Sequence, residues 1–162
     1  MVWNGQHFLG LEDLSKEDIQ SLIQRASHFL EAGNRYEPNA PLSGKIIANL
    51  FMENSTRTRC SFTIATKRLG GDCIDLLGGT SSASKGETLV DTARNLEAMG
   101  VVGIAVRCSE ESGPSDIAAN VGIPVINAGS GTASHPTQAL LDAGTLLHYF
   151  GCDDLSGQHI AI

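Results

Sequence analysis

From Lys45 onward, short apolar runs alternate with amphipathic segments of helix length, and this alternation restricts the chain to few folds. Such a pattern is typical of repeated βα units, which build a parallel sheet covered by helices. With 41% hydrophobic and 18% charged residues, a chain of 162 residues can bury the core of one such domain. The sequence therefore predicts a globular α/β domain.

Four buried runs are predicted to be strands, and glycines mark the ends of the helices between them. The predicted strands cover residues 46–51, 72–76, 101–106 and 123–127. The predicted helices begin with one that Ser15 caps and continue at residues 55–70, 86–99, 115–121 and 136–150. Residues 155–162 indicate a turn and the start of another strand. We therefore expect a first domain over residues 1–150, and a linker with the first strand of a truncated second domain over residues 151–162.

Charge, cysteines and the N-terminus restrict the class of protein. A net charge of −7 argues against a general nucleic-acid surface, and the apolar runs are too short for a membrane span. The N-terminus has no pattern of an export signal, so we expect a cytoplasmic protein. Four scattered cysteines without metal-ligand spacing are expected to be reduced thiols, with no metal and no cofactor: Cys60, Cys73, Cys108 and Cys152.

The strongest local signal, at residues 51–59, lies between a buried strand and an amphipathic helix. Ser55 at the N-cap leaves the next amides available, and the helix dipole favours an anion such as phosphate. Arg57 can bind that anion with two hydrogen bonds, and Thr56 and Thr58 supply hydroxyl donors. The alternative is a simple helix cap with solvated arginines.

A second motif, Ser-His-Pro-Thr-Gln, begins the last predicted helix. Pro136 favours the first helical position, so His135 would cap the helix and Gln138 would lie on the same side. Both side chains can donate hydrogen bonds to a carbonyl oxygen that becomes negative during acyl or carbamoyl transfer. A helix cap with a surface histidine is the alternative.

Two further features are weaker by themselves. Ser81 and Lys85 belong to a loop of small residues that could close over an anionic substrate, although such loops are more often solvated connections. Arg107 follows a predicted buried strand at the carboxyl end of the sheet, where it is either a ligand-binding residue or only exposed.

Together these motifs resemble the transcarbamoylase family, and its aspartate branch more than its ornithine branch. The family's Ser-Thr-Arg-Thr motif stands at residues 55–58, its arginine after a central strand is Arg107, and its His-Pro-x-Gln motif stands at residues 135–138. Glu53, two residues before the phosphate motif, is typical of the aspartate branch. So is the loop that contains Ser81 and Lys85.

The resemblance implies the first, carbamoyl-phosphate-binding domain of a two-domain enzyme that forms N-carbamoyl-L-aspartate and phosphate, an early step of pyrimidine synthesis. It implies that Ser55, Thr56 and Arg57 bind the phosphate. It also implies that Arg107, His135, Gln138 and Thr58 polarise the carbonyl group. Ser81 and Lys85 would reach the aspartate site of a neighbouring subunit in a homotrimer. Without the second domain, the fragment is expected to be weakly active or inactive.

Two alternatives stay open. An ornithine-type transcarbamoylase would keep the phosphate motif, but Glu53 and the loop with Lys85 argue against it. A non-catalytic anion-binding or structural subunit would need only part of the motif set, whereas this chain carries every first-domain site residue.

Overall fold

The computed structural model describes residues 5–31, 39–78 and 87–160 and contains a parallel sheet of four strands flanked by helices. The strand order is β2-β1-β3-β4, and every neighbouring pair is parallel. This architecture confirms the predicted α/β fold. In chain order the elements are α1 (Lys16–Glu31), β1 (Ile46–Phe51), α2 (Thr56–Arg68), β2 (Asp72–Leu77), α3 (Leu89–Ala98), β3 (Gly103–Cys108), α4 (Gly113–Ala118), β4 (Val125–Ser130) and α5 (Pro136–Phe150).

Local capping signals agree with the helix ends that they predicted. The hydroxyl of Ser15 accepts a hydrogen bond from the amide of Asp18 at 3.1 Å, and the Asp18 carboxylate accepts one from the amide of Ser15 at 3.3 Å. These reciprocal bonds form a capping box before α1. At the other end of the chain, α5 begins at Pro136 and is followed by Gly151 with φ of 61°. This left-handed conformation suits glycine and stops a helix.

The second half of the sheet differs from its prediction. Strands β3 and β4 each begin two residues later than predicted and extend further, to Cys108 and Ser130. Arg107 therefore lies inside β3 rather than after it. The reason is tertiary: the backbone of residues 103–107 pairs with β1, and that pairing sets where the strand begins. Helix α4 begins two residues earlier than predicted, and α3 covers 89–98 of the predicted 86–99.

Side chains of the central strands alternate between two buried faces, as the pleat requires. Ala48 and Leu50 of β1 pack with Ile104 of β3 against the face covered by α3 and α4. Phe51 and Ala105 lie on the opposite face, with Phe62 of α2 packed against them. The middle of the sheet is therefore buried on both faces.

The N-terminal segment extends the sheet beyond β4. Phe8 forms a parallel bridge with Ile126, donating its amide to Val125 O at 2.8 Å and accepting that of Asn127 at 2.8 Å. The edge of β4 is therefore paired over this stretch.

Residues 151–160 contain a turn, with the Gln158 amide bonded to Leu155 O at 3.0 Å, and no strand among these described residues. The predicted second-domain strand lies partly beyond the described part of the chain and stays a prediction. Of the helices that the structure describes, none combines the length and the apolar character needed to cross a bilayer.

Candidate anion-binding site

The sheet order creates a crevice at the carboxyl ends of β1 and β3. The chain leaves β1 toward β2 on one side, whereas β3, its other neighbour, continues toward β4 on the opposite side. Ligands of open α/β sheets bind where the connections diverge in this way. The amide of Met52, just after β1, donates to Arg107 O at 2.8 Å, so the loop after β1 is attached to the end of β3.

The loop after β1 leads directly into the N-terminus of α2. Ser55 is the N-cap, with φ of −148° and ψ of 89°, and its side chain makes no capping hydrogen bond. The first amides of α2 therefore lack the usual side-chain acceptor and can donate hydrogen bonds to an anionic ligand. Thr56 and Arg57 are exposed in this first turn, and Thr58 is half-buried. The structure thus brings the predicted phosphate-binding residues to the predicted helix end.

Arg59, two residues beyond Arg57, has a different environment. Its Nη1 lies 3.2 Å from Oδ2 of Asp75 on β2, which directs the guanidinium toward the outer edge of the sheet. The two arginines of the motif are therefore distinct, and Arg57 is the one exposed in the first turn of α2.

Arg107 extends from β3 into the crevice. Its Nη1 donates to Ala128 O at 3.2 Å, and its Nε is buried with no hydrogen-bond partner among the described residues. Glu53 Oε2 lies 3.6 Å from that Nε, beyond hydrogen-bond length but within ion-pair range. The guanidinium thus faces a carboxylate from the loop after β1, so Glu53 is a neighbour of the site as well as a residue typical of the aspartate branch.

His135 lies beside Arg107 at the start of α5. It is the N-cap, with no capping bond from its side chain, and is half-buried. Burial lowers its pKa first, and the positive charge of Arg107 lowers it further, while Asp142 acts in the opposite direction. The imidazole is therefore predominantly neutral near pH 7 and retains one N–H donor.

Gln138 lies in the first turn of α5, and its side chain has a local hydrogen-bond partner. Its Nε2 donates to Oδ1 of Asp142 at 2.9 Å, and the same carboxylate acts on the pKa of His135, so the predicted role of Gln138 beside His135 stays a prediction. Residues four apart lie on one helical face, which makes this pairing available locally. Asp142 could have been recognised from that spacing.

The remaining predicted site residues, Ser81 and Lys85, lie outside the described residues, and their placement stays a prediction. Within the described ranges, no three His, Cys, Asp or Glu side chains are grouped so that they could hold a metal ion. All four cysteines are free thiols, and Cys108 is buried, with a pKa raised to about 11, chiefly by desolvation.

A parallel sheet with an uncapped helix N-terminus, an arginine in a central strand and a neutral histidine at the start of the last helix is an α/β domain with a candidate anion-binding site. The chain matches the family model of the aspartate/ornithine carbamoyltransferase, carbamoyl-P binding domain, over residues 6–148. It therefore belongs to the aspartate/ornithine carbamoyltransferase family, and the match is to that domain of it.

Curated relatives and solved structures agree with this assignment. The chain is 47% identical over 157 residues to an aspartate carbamoyltransferase catalytic subunit of Aliarcobacter butzleri, covering 97% of this chain and 52% of the relative. The catalytic subunit of M. Jannaschii aspartate transcarbamoylase has a TM-score of 0.82 at 38% identity, covering 91% of this chain and 48% of that one. An ornithine carbamoyltransferase from Thermus thermophilus has a TM-score of 0.81 at 33% identity, covering 91% and 50%. The chain spans about half the length of these relatives.

Proposed function

We propose that this domain binds carbamoyl phosphate and that, with an aspartate-binding domain, it transfers the carbamoyl group to L-aspartate. The observation that carries the proposal is that Arg107, which has His135 beside it, pairs with Glu53 in the loop that leads into the uncapped N-terminus of α2. One end of this arrangement suits a phosphate group and the other suits a carbonyl oxygen. Carbamoyl phosphate carries both groups, joined through one bridging oxygen.

The proposed chemistry assigns one task to each end of the site. The amino nitrogen of aspartate bonds to the carbonyl carbon, the bond from that carbon to the bridging oxygen breaks, and phosphate leaves with the electron pair. The departing phosphate takes the proton that the amine loses, which completes the products N-carbamoyl-L-aspartate and hydrogen phosphate. Because no protein nucleophile is required, positioning and electrostatic stabilisation supply the catalysis.

We propose that the residues of the two motifs divide between the two ends of the site. Ser55, Thr56 and Arg57 hold the phosphate and stabilise it as it leaves, since they lie at the positive end of α2. Arg107 and His135, with Thr58 and Gln138, donate to the carbonyl oxygen. Gln138 must exchange its bond to Asp142 for this role. A neutral His135 suits it, because the imidazole N–H can donate without adding a second full charge beside Arg107.

The relatives support aspartate as the acceptor. Curated relatives at 47% identity are named aspartate carbamoyltransferase catalytic subunits, and aspartate transcarbamoylase of Trypanosoma cruzi, 37% identical with a TM-score of 0.80, has been solved with carbamoyl phosphate and aspartate. The fold does not separate the two branches, because an ornithine enzyme superposes equally well. Glu53 next to Arg107 is the local feature that favours the aspartate branch.

The oligomeric state and the cellular compartment are also part of the proposed function. We propose a cytoplasmic homotrimer active in pyrimidine synthesis, in which Ser81 and Lys85 complete the aspartate site of a neighbouring subunit. The support is the resemblance of the motifs, together with the position of β2 at the edge of the sheet immediately before that loop.

The test is a product assay on the full-length protein. Purified protein is incubated with carbamoyl phosphate and either L-aspartate or L-ornithine, and carbamoylated products are quantified by mass spectrometry. We expect N-carbamoyl-L-aspartate with little carbamoylated ornithine, and far less product from the 162-residue chain alone. Preferential carbamoylation of ornithine would replace the aspartate assignment, and phosphate binding without transfer to either amine would favour the non-catalytic alternative.

A further inference from the structure

The ladder between β3 and β4 is irregular opposite Arg107. Val106 pairs with Asn127, whereas Cys108 pairs with Ser130, so Ala128 and Gly129 together oppose Arg107. Two residues opposite one is the arrangement of a β-bulge, which bends its strand and redirects nearby side chains. The bulge therefore lies beside the residue that extends into the crevice.

The two residues of the bulge contact the Arg107 guanidinium. Ala128 O accepts from Nη1 of Arg107 at 3.2 Å. A Cβ built at Gly129, where φ is 125°, would lie 2.5 Å from the same Nη1 and 3.1 Å from Cζ. Only glycine allows both this backbone conformation and this approach. The guanidinium position therefore depends on the exact path of residues 128 and 129.

A buried carboxamide holds that path. Asn127 is only 2% exposed, and its Oδ1 accepts the amide of Gly129 at 2.8 Å. A bulge leaves an amide without its ladder partner, and this bond supplies the missing acceptor. Nδ2 of Asn127 donates to Leu9 O at 2.9 Å and to Ser130 Oγ at 3.2 Å, so the carboxamide is itself fixed by the N-terminal segment.

We infer that Asn127 is a positioning residue, whose carboxamide holds the bulge at Ala128 and Gly129 and thereby sets the guanidinium of Arg107 toward the substrate carbonyl. This inference rests on the proposed function, since it takes carbamoyl phosphate as the ligand of Arg107. Asn127 itself does not contact the ligand.

The test compares two ligands in the full-length protein. Inorganic phosphate needs only the α2 end of the site, whereas carbamoyl phosphate also needs Arg107. In Asn127→Ala, we expect the dissociation constant of freshly prepared carbamoyl phosphate to rise about tenfold, as for a lost hydrogen bond to a charged group. That of phosphate should stay within about twofold of the unaltered protein. Calorimetric titration measures both dissociation constants. A general loss of stability would weaken both ligands alike and leave the ratio of the two constants unchanged.

Two further variants separate the inference from simpler explanations. Asn49→Ala is the matched control, because Asn49 is equally buried in β1 but bonds Thr63, Cys73 and Asp75, away from Arg107. It should lower stability and leave the ratio unchanged. In an Arg107→Ala background, Asn127→Ala should have little additional effect on carbamoyl phosphate, because residues that act as one unit are not additive.

If Asn127→Ala does not fold, two other measurements replace it. The Gly129 amide of the unaltered protein should exchange with solvent as slowly as its strand neighbours, and Gly129→Ala should change the same ratio. Rapid exchange, or an unchanged ratio in a folded variant, overturns the inference while leaving the proposed function intact if Arg107→Ala still weakens carbamoyl phosphate. Failure of the unaltered protein to bind carbamoyl phosphate overturns the proposed function and this inference with it.

Discussion

Arg107 lies close enough to His135 for its positive charge to lower the pKa of the imidazole, although burial of the ring lowers it more. Gly129 separates the two side chains: a Cβ built there would lie 3.5 Å from Cδ2 of His135 as well as in contact with Arg107. The donors proposed for the carbonyl oxygen are thus electrostatically coupled, and a change in one should be measurable at the other.

Replacing Arg107 with alanine should therefore raise the pKa of His135 toward the ordinary value of about 6.5. The rise should be partial, because burial, the larger cause, remains. The pH titration of the His135 ring resonances by NMR measures it. Asp142→Asn is the control of opposite sign and should lower the pKa further, because Asp142 raises it. An unchanged titration in Arg107→Ala would show that the two groups do not interact.

The same lowered pKa predicts the direction of a pH effect on stability. The unfolded chain binds a proton at His135 more readily than the folded domain. Neutral His135 therefore contributes to stability above about pH 6.5, the pKa of the unfolded chain. This contribution is lost as the pH falls through the lower pKa that His135 has in the folded domain. In urea unfolding between pH 7.5 and 5, His135→Gln should lose less stability than the unaltered protein. An equal loss in both would assign the acid sensitivity to other groups.

Arg57→Ala should weaken phosphate binding by about 10- to 100-fold, because it removes a charge-assisted contact at the positive end of α2. The fold should persist, since Arg57 is exposed. Circular dichroism and calorimetry check both statements. Arg59→Ala is the matched control: it lies on the same helix but pairs with Asp75, so phosphate affinity should change by less than about twofold. Equal losses in both variants would contradict a specific role of Arg57.

A shared site predicts complementation between inactive subunits. Mixing full-length Lys85→Ala and Arg57→Ala subunits should restore part of the turnover, because a mixed trimer can assemble an intact site from two altered chains. Each variant alone, taken through the same dissociation and reassembly, is the control. Hybrids that form by native mass spectrometry yet remain inactive would disprove a cross-subunit role of Lys85.

The cysteines should differ strongly in reactivity. Cys108 is buried with a pKa raised to about 11, so at pH 8 about one thiol in a thousand would be thiolate, the reactive form. Iodoacetamide in the folded protein should therefore label exposed Cys60 well before Cys108, as followed by peptide mass spectrometry. Equal labelling of both in urea is the control. Early labelling of Cys108 in the folded protein would mean that the core around it opens.

Residues next to one another in the chain made part of the site predictable. Ser55, Arg57 and His135 were recognised because a helix start has a local signature: a capping residue, a proline at the first turn and nearby donors. Strand β1 and helix α5 have the bounds predicted from their apolar runs and end signals. Gln138 lies on the predicted helix, but its side-chain direction depends on competition with Asp142, which spacing alone does not resolve.

What the sequence by itself determined is therefore the α/β class, the order of its elements and the helix-end motifs, because these depend on periodicity and on contacts within a few residues. The tertiary structure alone decided that β3 continues through Arg107, that Glu53 faces it, and that the Asn127 carboxamide donates to Leu9 O in the N-terminal segment. Each of these is a hydrogen bond or ion pair between distant segments. Their partners become neighbours only when the parallel strands align, so no local pattern in the chain encodes them.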